Sequence, residues 1–249
     1  MSGHSHWSGI KHKKALNDAK RGKVFSKLAA LIASAVKEGG GPDPDMNPRL
    51  RLVLDKARAS NMPKDNVRRA VEKGAGTGGA AYEQLLYEGY APGGVALMIE
   101  TLTDKRQRTY PEIKKIVEQR HGSLGSPGCV AYLFHRKGLI TVNAADAGEE
   151  ALLEAALDAG AEDLAAEGDL YQVTTPPEAL LAVKAALEER RIPIQSAEIA
   201  MIPGATVRVE GEEARKVLAL VEALDDHEDV QNVYTNFDIP DEILSESGN

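Results

Sequence analysis

Residues 139–202 read LITVNAADAGEEALLEAALDAGAEDLAAEGDLYQVTTPPEALLAVKAALEERRIPIQSAEIAMI, and the order of elements in this stretch decides the fold. Strand-type runs are expected at 139–143, 161–167, 169–174 and 197–202, and helix-type runs at 148–159 and 176–191. The resulting β-α-β-β-α-β order is the split βαβ of a ferredoxin-like sandwich, a sheet with one face covered by helices.

Towards the N-terminus, Tyr82 to Tyr90 and Val95 to Thr103 read as a hairpin around Ala91-Pro92-Gly93-Gly94, where Pro and Gly suit a tight turn. A helix is expected over 109–120 from Ile113, Ile116 and Val117, then a glycine-rich loop at 122–128 and a strand at 130–134. Beyond the ferredoxin-like unit, a strand at 205–210, a helix at 212–225 and a strand at 229–236 need a partner. The hairpin and helix of 82–134 lack a complement, so a discontinuous α+β domain of 82–134 plus 204–239 is expected, with 138–202 inserted into it.

The first 76 residues have a different character. Val24, Phe25, Leu28, Leu31, Ile32, Ala35 and Val36 form the apolar stripe of a helix that begins near Asp18 and stops at Gly39-Gly40-Gly41. Asn47-Pro48 supplies an N-cap and a first-turn proline for a helix over 48–59, and a third helix over 63–73 follows, with Gly74 as its C-cap. Residues 74–81, GAGTGGAA, read as a flexible linker. The fold class is therefore α+β and multidomain: an N-terminal three-helix domain over 1–76, followed by two α/β sandwich domains, the last ferredoxin-like.

Charge is divided along the same line. Residues 1–76 hold 16 Lys plus Arg against 7 Asp plus Glu, whereas the whole chain has 30 against 38. A basic segment joined to an acidic body suits an anionic partner better than it suits solubility. Lys11, His12, Lys13, Lys14, Lys20, Arg21, Lys23 and Lys27 are the candidate phosphate contacts, through DNA or through rRNA within the ribosome. With aromatic residues at 4%, charge rather than base stacking is expected to carry the affinity.

Three lesser candidates accompany them. An ordinary helical hairpin is expected over 48–73, with Asp65 opposite Arg69 and Arg68 opposite Glu72; as a helix-turn-helix, it would offer Lys64, Asn66, Arg68 and Arg69 to a groove. Lys105, Arg106 and Arg108 precede a helix expected to begin near Thr109, where cations oppose the helix dipole and could converge with its amides on a second phosphate. Tyr87, Tyr90, Pro92, Gly93 and Gly94 form a turn that is expected, with Arg108, to make a second contact, and to act as a probe if the partner is a ribosomal site; the plain alternative is a tight hairpin.

Other classes find little support. Hydrolase, nucleotide-loop and dinucleotide motifs are absent from the sequence, and Gly122, Gly125 and Gly128 follow a helix rather than open one, so no enzyme, small-molecule substrate or cofactor is expected. His4, His6 and His12 lack the partners of a metal site, and no metal is expected. The single Cys129 and the lack of a long apolar run or signal-type N-terminus lead to the expectation of a cytoplasmic protein with no membrane partner; the oligomeric state is not legible in the sequence, and a monomer is favoured.

The segment GHSHWSGIKHKKALNDAKRGKVFSKL at 3–28 closely resembles the opening signature of the YebC/PmpR family, which includes the mitochondrial translational activator of cytochrome oxidase. NPRL at 47–50, NMPKDNVRRAVEKG at 61–74, YEGYAPGGVA at 87–96 and GSLGSPGCVAYLF at 122–134 follow in family order. The resemblance implies three domains, the middle one discontinuous, and a non-catalytic role without cofactor. It implies either DNA-binding regulation of transcription or translational action on the ribosome, including relief of stalling at proline runs. Where the family reads Thr-Asp-Asn-x-Asn-Arg-Thr, this chain keeps Thr103, Asp104, Arg108 and Thr109 but carries Lys105 and Gln107 in place of the asparagines.

Overall fold

The computed structural model describes residues 18–76, 82–240 and 243. Three helices open it: α1 (Asp18–Glu38), α2 (Pro48–Ala59) and α3 (Lys64–Ala75). Leu28, Ile32, Ala35 and Val36, spaced at three and four residues, bury one stripe of α1 against Leu50, Val53 and Ala57 of α2 and against Met62 and Ala70. Asn47 starts α2: its Oδ1 accepts from Leu50 N at 3.0 Å while its Nδ2 donates to the carbonyls of Ala35 and Gly41 at 2.8 and 2.9 Å. A single amide thus caps one helix and closes the end of another.

Gly74, expected to cap α3, instead lies inside that helix and buried. A Cβ there would sit 2.6 Å from the Ala33 carbonyl oxygen and 2.8 Å from Val36 Cβ. The residue is the small surface that lets α3 approach α1.

Contact density divides the chain into two compact units, Phe134–Gly204 and the residues on either side of it. In the latter unit, β1 (Glu83–Tyr90) and β2 (Ala96–Thr103) form an antiparallel hairpin in register Glu83 to Thr103 and Tyr90 to Ala96. Its turn is a 3-10 step over Pro92–Gly94, with Gly93 at φ 74°, closed by a 2.8 Å bond from Ala91 N to Val95 O. Next come α4 (Arg106–Gln119) and the short β3 (Ser123–Leu124).

After the other unit, the chain returns as β8 (Val207–Arg208), α7 (Gly211–Asp225), β9 (Val230–Thr235) and β10 (Phe237–Asp238). The sheet order is β3-β1-β2-β9. Leu97, Ile99, Val230 and Val233 pack with Ile113 and Val117 of α4 and with Val217, Leu220, Val221 and Leu224 of α7 in one core.

Three sequence expectations change here. The helix expected from 109 begins at Arg106. The strand expected at 130–134 is a 3-10 turn over Ala131–Leu133 that leads into the next strand. The strand expected at 205–210 shrinks to β8, which pairs in parallel with β10 rather than joining the four-stranded sheet.

Within Phe134–Gly204 the elements are β4 (Phe134–Asn143), α5 (Glu149–Asp158), β5 (Asp163–Glu167), β6 (Leu170–Thr175), α6 (Leu180–Glu189) and β7 (Ser196–Pro203). The sheet runs β5-β6-β4-β7 with every neighbour antiparallel, as a ferredoxin-like unit requires. Ile140, Val142, Val173, Leu152, Leu180, Val183 and Leu187 are among its fully buried apolar residues.

Candidate nucleic-acid interface

Of the expected phosphate contacts, Lys11, His12, Lys13 and Lys14 lie outside the described residues, and so does the side chain of Lys20. Arg21 and Lys23 are exposed on α1, and Lys27 is half-buried. The Lys23 ammonium lies 3.6 Å from Asp226 Oδ2, and Lys27 Nζ donates to the backbone carbonyl of Asp225. Both acceptors belong to the C-terminal end of α7, where the helix dipole already places partial negative charge. Cations from α1 therefore complement an end that α7 leaves without a basic residue in its last turn.

Lys64, Arg68 and Arg69 are exposed on α3. Arg68 meets Asp65 at 3.0 Å, three residues away, and Arg69 reaches the Asp65 carbonyl at 3.3 Å and the Asn66 side chain. The expected pairing of Asp65 with Arg69 is thus taken by Arg68, because the (i, i+3) neighbour is as close on a helix surface as the (i, i+4) one.

The second cationic cluster is built differently. Because α4 starts at Arg106, Arg106 and Arg108 lie within its first turn rather than ahead of it. A hollow of about 490 Å³ is lined by Lys105, Arg106, Gln107 and Arg108. Arg106 pairs loosely with Glu83 at 3.7 Å. Arg108 instead directs one guanidinium nitrogen at both oxygens of Asp229, at 3.1 and 2.9 Å, and also lies 3.3 Å from Asp104.

Asp229 is only 9% exposed. It accepts a further 2.7 Å bond from the Thr109 hydroxyl, which sits 2.8 Å from that of Thr103, and both threonines are fully buried. Burial pushes the Asp229 carboxyl up, but the bonds from Thr109 and Arg108 outweigh it and hold the pKa below the ordinary value. Its amide donates to His227 Nδ1 at 3.1 Å, and His227 Nε2 lies 3.0 Å from Glu112. Thr103, Arg108 and Thr109 are thus one network with Asp229, joined by the Lys105 backbone, whose amide donates to the Thr103 hydroxyl at 2.9 Å and whose carbonyl lies 3.2 Å from the Thr109 hydroxyl; Lys105 and Gln107 themselves are exposed residues.

Of the proposed turn contact, Tyr87 reaches α4 beside this cluster, but the turn itself does not join it. Pro92, Gly93 and Gly94 close one end of the hairpin and Thr103 ends the other, about 25 Å away at the usual strand rise. A Cβ on Gly93 would lie 2.7 Å from Val209 and 3.2 Å from the Glu213 carboxylate, so the turn faces an acidic helix start. Tyr87 tilts its ring against Tyr110 at 5.7 Å, and its buried hydroxyl has no hydrogen-bond partner among the described residues. Burial pushes that phenol's pKa up.

Sequence reasoning missed Glu88. This carboxylate, 7% exposed on β1, accepts from the amides of Gly128, Val130 and Ala131 at 2.7, 2.9 and 2.8 Å. Burial works against ionisation, yet the three amides together hold its pKa below the usual range. With the 3.1 Å bond from the Tyr90 hydroxyl to the Cys129 carbonyl, it pins the glycine-rich loop to the hairpin. Nothing local marks a strand glutamate as the acceptor for amides some 40 residues away.

The described residues hold no cluster of His, Cys, Asp or Glu able to bind a metal ion, and no described helix is long and apolar enough to cross a membrane. The expected histidine arm lies outside them. Two family models match the chain, the TACO1/YebC N-terminal domain over residues 5–77 and the TACO1/YebC second and third domain over residues 82–237. The chain is 51% identical to a "probable transcriptional regulatory protein" of Rubrobacter xylanophilus over 99% of both chains. It is also 51% identical to one of Geobacter sulfurreducens, over 97% of this chain and 98% of that one. Among solved structures, a conserved hypothetical protein from Aquifex aeolicus matches with a TM-score of 0.87 and 48% identity, over 94% of this chain and 97% of that chain.

Proposed function

Because the chain belongs to the TACO1/YebC family, we propose that it is a non-catalytic regulator of gene expression that binds the phosphate backbone of nucleic acid through residues 11–27. The observation that carries this reading is the charge division, 16 Lys plus Arg against 7 Asp plus Glu in residues 1–76 of an otherwise acidic chain. The name shared by the relatives points to regulation and designates no enzyme class. Lys11, Lys13 and Lys14 precede α1 in the sequence, and Lys20 with the exposed Arg21 and Lys23 prolongs the same basic run on that helix. Lys105 and Arg106 supply a second contact, and Arg108 acts by fixing the first turn of α4 rather than by reaching out. On this reading the helical segment and the first turn of α4 share the contact with nucleic acid.

The polymer is promoter DNA or ribosomal RNA, and the relatives' shared name favours DNA. The test is full-length protein with Lys11, Lys13 and Lys14 changed to Glu, assayed by fluorescence anisotropy on random duplex and by co-sedimentation with ribosomes. Wild-type affinity is expected to fall with salt on a log–log slope of about −4 to −5, and the reversed variant to lose most of its binding. Unchanged association with both polymers would overturn the reading. Duplex binding without ribosome association decides for DNA, and the converse for rRNA.

A further inference from the structure

The two cationic clusters, α1 and the first turn of α4, meet at a single element. The Asp225 backbone carbonyl receives Lys27, the Asp226 carboxylate receives Lys23 and the Asp229 carboxylate receives Arg108, so the connection from α7 to β9 places one seam of acceptors between them. The contacts along this seam are unequal. Arg108 meets a buried aspartate at 2.9 Å with two threonines behind it, a geometry in the range of strong charge-assisted bonds. Lys23 meets Asp226 at 3.6 Å with both side chains about half exposed, 45% and 51%. That second pair is open to water and lies outside the short range, so a competing anion can replace the carboxylate at little cost.

Local electrostatics of α7 do not account for Asp226. It caps the C-terminal end of the helix directly after Asp225, where the dipole disfavours negative charge. Among the described residues, the cation that meets the carboxylate is Lys23 of α1.

We propose that Asp226 is a built-in competitor for phosphate: it holds Lys23 in the unbound protein and yields it when nucleic acid arrives, so that this residue sets the threshold of charge density a ligand must exceed. The inference rests on the proposed phosphate-binding role of α1. Phosphodiester is the ligand chemistry, since Lys23 is a point-charge donor adjoining Arg21 and Lys20 in the same basic run. A ligand that presents several phosphates displaces the aspartate, whereas a single carboxylate or phosphate gains nothing over it.

The experiment compares full-length wild type, Asp226→Asn, Lys23→Gln and the double variant on random duplex DNA and duplex RNA across a salt titration. Thermal unfolding of each variant verifies the fold. Asp226→Asn is expected to bind about two- to fivefold more tightly, the worth of one exposed pair. Its salt slope is expected to steepen by up to about one, because Lys23 then releases counterions without freeing an acid that recruits them. Lys23→Gln is expected to weaken binding more in the Asp226→Asn background than in wild type. Wild-type binding with an Asp226→Asn affinity and slope that match it would sink the competitor and leave the nucleic-acid reading standing. Absence of wild-type binding to both probes would remove the nucleic-acid reading itself.

Discussion

Lys23 on α1 and Arg108 on α4 both meet aspartates of the segment 225–229, yet the two cations sit in opposite environments. Arg108 is fastened to Asp229, which is buried and further bonded to Thr109. Lys23 touches Asp226 at longer range in water. A cation's availability here is decided by its partner's burial, not by its own exposure: side-chain exposure is 43% for Arg108 and 45% for Lys23.

The strongest way to break this comparison is Asp229→Ala. The change removes the buried partner of Arg108, leaving it the longer contact to exposed Asp104, and takes from the Thr109 hydroxyl its shortest acceptor, at a cost of about 2–4 kcal/mol in unfolding free energy measured by urea denaturation. A loss below about 1 kcal/mol would mean that Arg108 is held no more firmly than Lys23.

A middle-sized effect concerns pH. Asp229 and Glu88 both have folded pKa values below their unfolded ones, so their contribution is complete above the unfolded value, about 4, and is lost as pH falls through the folded value. Unfolding free energy is therefore expected to stay level in their contribution from pH 7 to about 5 and to drop below about pH 4. Glu88→Gln should give a shallower acid limb from a lower plateau, and an unchanged limb would show that the three amide bonds do not favour the charged form.

The smallest effect sharpens the contrast. Asp226→Asn should change unfolding free energy by less than about 1 kcal/mol, within the range of exposed pairs, even while it tightens binding.

The legible part of the fold rests on local periodicity. The α1 stripe, the caps at Asn47-Pro48 and the β-α-β-β-α-β order are each written within a few residues of chain, and the structure places those elements close to their expected bounds. Errors fall where distant groups set the backbone. VAYLF at 130–134 has strand composition, but Glu88 captures the amides of Val130 and Ala131 and the chain turns instead. The apolar spacing of Ile113, Ile116 and Val117 places α4 from Thr109, whereas Arg108 and Thr109 bond to Asp229 and the helix begins at Arg106. The candidate contacts on α1 were visible as a charge run, yet their partners were not.

The sequence by itself determined the basic and acidic halves, the three helices and the ferredoxin-like order, because charge content and apolar spacing act over one or two helical turns. Only the tertiary structure decided which cations are committed. Lys27 finds its acceptor 198 residues away and Arg108 finds Asp229 121 residues away. An ion pair's strength depends on distance and burial, and for such pairs both are properties of the packed chain alone.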